Sequence, residues 1–154
     1  MNIRYDMISV YVIRPAATSH EILQLRRAQN DYMGGTWQTV RGTMEANETA
    51  WQAALRELKE ETGLTPTEFY KLSLLEIFYL THDETIWHCP AFCALVAADA
   101  NVILNEEHDA ARWLPIESAA KDFMWPAEPQ AIAELTREII NTGPAKPYLE
   151  IKLP

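Results

Sequence analysis

Cysteine is nearly missing from this sequence, with only Cys89 and Cys93 among 154 residues. Both fall in an apolar run, IWHCPAFCALV, that reads as a strand, and four positions along a strand span roughly 13 Å. That separation excludes a disulfide and argues against one shared metal ion. Two buried free thiols in a reducing compartment are expected instead. Hydrophobic runs are also short: no stretch approaches the roughly 18 residues that a membrane-spanning helix needs. The N-terminal MNIRYDMISVYVIRP is interrupted by Ser9 and closed by Arg14 and Pro15, so it reads as a strand and not as a secretion signal. The expected compartment is the cytoplasm. Positive charge is scarce, 13 basic residues against 22 acidic for a net charge of −9. This disfavours nucleic acid and anionic membranes as partners. A small phosphorylated ligand would need a local correction to that field, and a bound divalent cation is the simplest one.

The composition is that of a folded chain, 48% hydrophobic and 23% charged, with no repeat or low-complexity tract. One domain over residues 1–154 is expected, monomeric or a homodimer, with residues 142–154 as an irregular or edge tail. Residues 7–13 and 21–27 read as a strand hairpin around the turn-prone RPAATSH. A short strand in GGTWQTVRG follows, then a helix from about Glu48 to Thr62 with Asn47 as N-cap and Gly63 as C-cap. Ala50, Ala54 and Leu58 share its core-facing side. Strands are expected near 70–80, 86–97 and 110–114, and helices at 115–120 and 128–141. The last carries Ile132, Leu135, Ile139 and Ile140 as its apolar stripe. Strands flanked by two or three helices imply an α/β (α+β) sandwich with a mixed sheet.

The run Arg56-Glu57-Leu58-Lys59-Glu60-Glu61 puts three carboxylates on one helical face, where they repel one another unless compensated. A solvated helix face is the plain reading, and in either reading Glu57 and Glu61 are expected on an exposed rim. Carboxylates are also hard oxygen ligands for Mg²⁺ or Mn²⁺, which bind through a few of them plus water and substrate phosphate. The spacing favours the second reading. Gly42 is followed by five residues and Glu48, then by seven residues and Arg56-Glu57-Leu58, then by Glu60-Glu61, Gly63 and Leu64. A solvated face gives no reason for glycines, an arginine and carboxylates to fall at those intervals.

At every one of these positions the segment resembles the signature of the Nudix hydrolases. The resemblance implies a Nudix-type α/β/α sandwich and Mg²⁺- or Mn²⁺-dependent hydrolysis of a nucleoside diphosphate linked to another group. It further implies that Glu57 and Glu61 hold metal, assisted by Glu60 and by the backbone carbonyl of Arg41 or Gly42. Gly42 would let the chain turn tightly ahead of the helix. Arg56 would orient the carboxylates through Glu48 or Glu60. A later acidic residue usually joins them, and Glu107, beside His108, fits. Glu57, Glu60 and Glu107 all remain candidates for the base. Arg27 matches a phosphate-binding position of relatives, and Arg4 is a second candidate of that kind.

The stretch Trp37-Gln38-Thr39-Val40-Arg41-Gly42, together with EHDAARWLP and MWPAEPQAIAEL, resembles the dihydroneopterin triphosphate (dATP-type) pyrophosphohydrolases of that family. The implied substrate is dihydroneopterin triphosphate or a dNTP, cleaved to a monophosphate and pyrophosphate, with Trp125 positioned to stack on the ring. Trp37 is better placed for packing. Two alternatives stay open. One is a hydrolase of a dinucleoside polyphosphate, nucleotide sugar or damaged nucleotide. The other is a non-catalytic nucleotide-binding regulator, against which the complete set of carboxylates argues.

Overall fold

The computed structural model describes all 154 residues. Strands β1 (Asn2–Arg4), β2 (Met7–Pro15), β3 (His20–Arg27), β4 (Trp37–Gln38) and β5 (Val40–Thr43) precede helix α1 (Ala50–Thr62). The long strands β6 (Glu68–Leu80) and β7 (Thr85–Leu95) follow, then β8 (His108–Pro115), α2 (Ile116–Ala119), α3 (Ala127–Glu134) and α4 (Lys146–Leu149). All strands join one mixed sheet, in which β2 runs parallel to β7 while β3, β5, β6 and β8 pair antiparallel. The expected hairpin is present, with Ile13 opposite Ile22. Each face of the sheet carries its own core. Val10, Leu25 and Phe92 pack beneath Ala53, Ala54 and Leu58 of α1. Tyr11, Ile22 and Cys93 pack beneath Ile132, Leu135 and Ile139 on the other side. This is an α/β/α sandwich.

Helix α1 starts later than expected, because Asn47 adopts φ 66° and turns the chain away from the helix instead of capping it. Thr49 is the cap: its side chain accepts the Gln52 N–H, and the Gln52 side chain accepts the Thr49 N–H. That reciprocal box was written in the sequence as Thr-x-x-Gln. Gly63 closes the helix as expected, at φ 71° with its N–H on the Lys59 carbonyl. The expected helix over 128–141 is not continuous α-helix. From Leu135 to Ile140 it widens into a π-turn, in which Asn141 N–H bonds the Thr136 carbonyl five residues back. The tail is not wholly irregular. It forms α4 and then lies along the edge of β6 through a Tyr70–Glu150 bridge and the Ile151 N–H on Phe69.

Cys89 and Cys93 are free and buried on β7, and burial pushes the Cys89 thiol up to about 12. No helix is long and apolar enough to cross a membrane.

Candidate active site

Helix α1 lays its acidic turns against the end of the sheet where β5 and the loop before β8 meet. The expectation of an exposed carboxylate rim is corrected here. Glu57 and Glu61 are buried, with only 1% of Glu61 accessible, while Glu60 alone points outward. The reason is the helical period. Four residues apart, Glu57 and Glu61 fall on the flank that leans toward β5 and β8, and Glu60 lies off that flank, about 60° from Glu57 and about 100° from Glu61 around the axis.

Arg56 organises this turn. Its guanidinium grips both oxygens of Glu48, each at 2.9 Å, and also donates to Glu57 at 2.8 Å, Glu60 at 3.3 Å and the Thr43 carbonyl at 2.9 Å. One planar fork thereby ties the loop 43–48 to two turns of helix, a geometry that a lysine ammonium does not reproduce.

Gly42 has a different task from the one expected. It lies inside strand β5, opposite Ile8, and is not among the residues with positive φ. A Cβ built there would stand 2.1 Å from the Glu57 carboxyl carbon. The glycine is required by close approach of a carboxylate, and not by a tight turn.

The burial of Glu61 is left uncompensated within the protein. Its Oε2 is buried without any hydrogen-bond partner. Burial, reinforced by Glu107 and Glu57, pushes its carboxyl up to about 9, while Arg27 works in the opposite direction. Burial also raises Glu57, despite its bond to Arg56. His108 Nδ1 stands 3.7 Å from the Glu61 orphan oxygen, and neither ring nitrogen has a partner. Burial and the nearby Arg27 hold His108 down at about 4, a neutral imidazole. In the sequence, His108 stands out only as the neighbour that marks Glu107. Its burial at the first residue of β8, directed at α1, is a tertiary fact.

Glu107 and Arg27 come to the same place. Arg27 Nη1 lies 3.6 Å from the Glu107 carboxylate, and the Glu107 carbonyl accepts the Ala28 N–H at 2.9 Å. Arg4 does not join them. It pairs with Asp6 at 3.0 and 2.5 Å and its guanidinium sits 4.2 Å from the Trp87 ring centre. Trp37 packs under the Arg112 guanidinium at 4.1 Å. Trp125 remains half exposed, its backbone N–H donated to Glu128 at 2.8 Å.

The Arg41 side chain was absent from the sequence reading, which considered only its carbonyl. It reaches inward to Glu76 at 2.8 Å and Glu128 at 3.3 Å, both carboxylates only 1% accessible. Glu76 also accepts hydrogen bonds from Ser9, at 2.8 Å, and Tyr11.

As they stand, no three His, Cys, Asp or Glu side chains converge tightly enough to enclose an ion. The site nonetheless fits a divalent cation on two observations. A buried carboxylate oxygen lacks any partner, and a glycine leaves space against the neighbouring carboxylate. Hard oxygen donors of this kind suit Mg²⁺ or Mn²⁺.

The NUDIX domain profile matches residues 6–135. The chain is 31% identical to the 8-oxo-dGTP diphosphatase of Escherichia coli K12 over 130 residues, covering 84% of this chain and 95% of that one. It is 30% identical to the dihydroneopterin triphosphate diphosphatase of the same organism over 129 residues, 73% of this chain and 81% of that one. A Myxococcus xanthus relative named octanoyltransferase is longer, and the match, 32% identical over 120 residues, spans 73% of this chain and 31% of it. The solved structure of the E. coli dihydroneopterin triphosphate pyrophosphohydrolase superposes with a TM-score of 0.66 at 26% identity, covering 90% of this chain and 99% of that one. A profile that spans most of the chain, relatives at this identity and an α/β/α sandwich with its carboxylate helix against the sheet agree: the chain belongs to the Nudix family of hydrolases.

Proposed function

We propose that the chain is a pyrophosphohydrolase that cleaves a nucleoside triphosphate-like substrate, dihydroneopterin triphosphate or a dNTP, into a monophosphate and pyrophosphate in the cytoplasm. The observation that carries the reading is the buried, partnerless Glu61 oxygen beside Glu57, whose stable occupancy as a carboxylate requires a cation. Glu57 and Glu61, with Glu60, Glu107 and the backbone carbonyls of Arg41 and Gly42, would hold Mg²⁺ or Mn²⁺. Bound there, the ion supplies charge neutralisation for the phosphates and acidifies water.

The chain's own groups do the rest. Arg56 keeps Glu57 and Glu60 in fixed rotamers by anchoring both to the Thr43–Glu48 loop. Arg27, held at the site by Glu107, contributes a guanidinium to phosphate oxygens. One of Glu57, Glu60 and Glu107 takes the proton of the attacking water. Trp125 offers the exposed aromatic face for a flat ring, and so fixes which phosphorus meets the water. The two E. coli relatives, named for 8-oxo-dGTP and for dihydroneopterin triphosphate, support a triphosphate over a nucleotide sugar.

A panel of triphosphates, nucleotide sugars and dinucleoside polyphosphates, assayed with Mg²⁺ and coupled to inorganic pyrophosphatase, tests the proposal. A triphosphate is expected to have the highest kcat/KM. In ¹⁸O-labelled water, label should enter the monophosphate, as attack at the α-phosphorus requires. Label confined to pyrophosphate, or faster turnover of a dinucleoside polyphosphate than of any triphosphate, overturns the substrate assignment.

A further inference from the structure

The sheet does not end where α1 ends. Beyond the first turn of that helix, the same face of β1, β7 and β6 continues with nothing over it, and pairing registers place its side chains in rows. Ile3 lies beside Ile86, which lies beside Tyr79; next come His88 and Ile77, then Pro90 and Leu75. Partners across a ladder share a face, so these rows form one surface. Ile3 is 64% accessible, Tyr5 just after it 74%, Leu75 47%, Ile77 57% and Tyr79 45%. The same surface runs into a groove walled by Trp51, Leu75, Pro90 and Ile151. By contrast, Tyr32, Ile103 and Tyr148 are exposed apart from this face, which is ordinary for a soluble chain.

We infer that this face is where a second copy of the chain docks, forming a two-fold dimer that leaves the active site open. Three observations select this occupant. The five exposed side chains present on the order of 600 Å² of surface, most of the roughly 800 Å² per partner of a standard interface and at the upper end of the patch size a lone protein shows. Two molecules of charge −9 repel each other, which favours contact through the least acidic part of the surface. Rows of Ile, Leu, Tyr and Pro, with His88 among them and Lys71 and Glu150 confined to the groove wall, provide that surface. The outer edge of β6 is also left bare. Glu134 covers the N–H groups of Ser73 and Leu74, and the tail covers Phe69 and Tyr70, but residues 75–80 pair on that edge with nothing. A bare apolar edge invites uncontrolled pairing unless a partner screens it. Isologous packing supplies that partner from the same gene product. The metal-site carboxylates lie elsewhere, at the β5 and β8 end of α1.

Sedimentation equilibrium at about 1 to 100 µM tests this. The wild-type chain should weigh twice its 17.6 kDa. Ile77→Glu, at an exposed position outside the active site, should weaken the dimer at least ~100-fold in Kd. Its circular dichroism and its kcat on the best triphosphate should be unchanged. Ile103→Glu, equally exposed but off this face, should leave the dimer intact. A wild-type monomer at about 100 µM overturns the inference, as does an Ile77→Glu protein as dimeric as wild type. Dissociation by Ile103→Glu to the same degree overturns it too.

Discussion

Two sets of buried carboxylates sit on this sheet, and they are treated in opposite ways. Glu76 and Glu128 share the Arg41 guanidinium, and further donors from Ser9, Tyr11 and the Trp125 backbone fill their remaining oxygens. Glu57 and Glu61 are also withdrawn from water, but Glu57 has only Arg56, and the Glu61 Oε2 has nothing. The first set is satisfied within the protein and serves the fold, tying β2, β5 and β6 to α3. The second leaves desolvation uncompensated. A folded chain tolerates that where a ligand completes the site. Burial of acid is therefore not the signal of function here; burial without a partner is.

The largest way to break the comparison is Glu61→Gln. Turnover of the best triphosphate should fall by at least ~10³-fold, because a neutral amide does not hold the cation. The melting temperature in EDTA should stay level, since burial already keeps the metal-free Glu61 carboxyl protonated at neutral pH and the amide is equally neutral. Mg²⁺ should raise the melting temperature of wild type but not of the variant. Wild-type turnover in Glu61→Gln would sink the assignment.

Arg41→Met should invert that pattern. It leaves two buried carboxylates facing an apolar side chain, at a cost of about 3–5 kcal/mol of stability by denaturant titration. A loss below about 1 kcal/mol would mean that Glu76 and Glu128 are satisfied without the arginine.

Gly42→Ala tests the close approach. The new methyl, 2.1 Å from the Glu57 carboxyl carbon, must displace that side chain. A ~10–100-fold loss of kcat with little change in melting temperature is expected. Retained activity would show that Glu57 need not stay where it is.

Arg56→Lys should lower kcat by ~10-fold or more by loosening Glu48, Glu57 and Glu60, with KM nearly constant. A pure rise in KM would make Arg56 a substrate contact instead. The smallest effect is expected for Trp125→Ala, which should cut the preference for a purine or pterin triphosphate over a non-aromatic polyphosphate by about 1 kcal/mol. An unchanged preference would assign ring recognition to another wall of the site.

Regular spacing is what a chain displays without being folded, and here it was informative. Alternation and apolar runs marked β2, β3, β6 and β7, because strand period and burial follow from local residue order. The intervals from Gly42 to Leu64 marked the acidic helix and its arginine, because positions three, four and eight apart on one helix or its adjoining loop meet whatever surrounds them. Burial and partnership are not local, and the sequence was silent or misleading about them. Glu57 and Glu61 looked like an exposed rim until β5 and β8 were laid against α1. Gly42 looked like a tight turn until Glu57 was seen pressed to its Cα. Arg41 joins Glu76 and Glu128 from 35 and 87 positions away along the chain, and His108 meets Glu61 across 47. Long-range pairs of this kind are chosen by the packing of whole elements, so only the tertiary structure decided which acids the protein neutralises for itself and which it leaves for a cation.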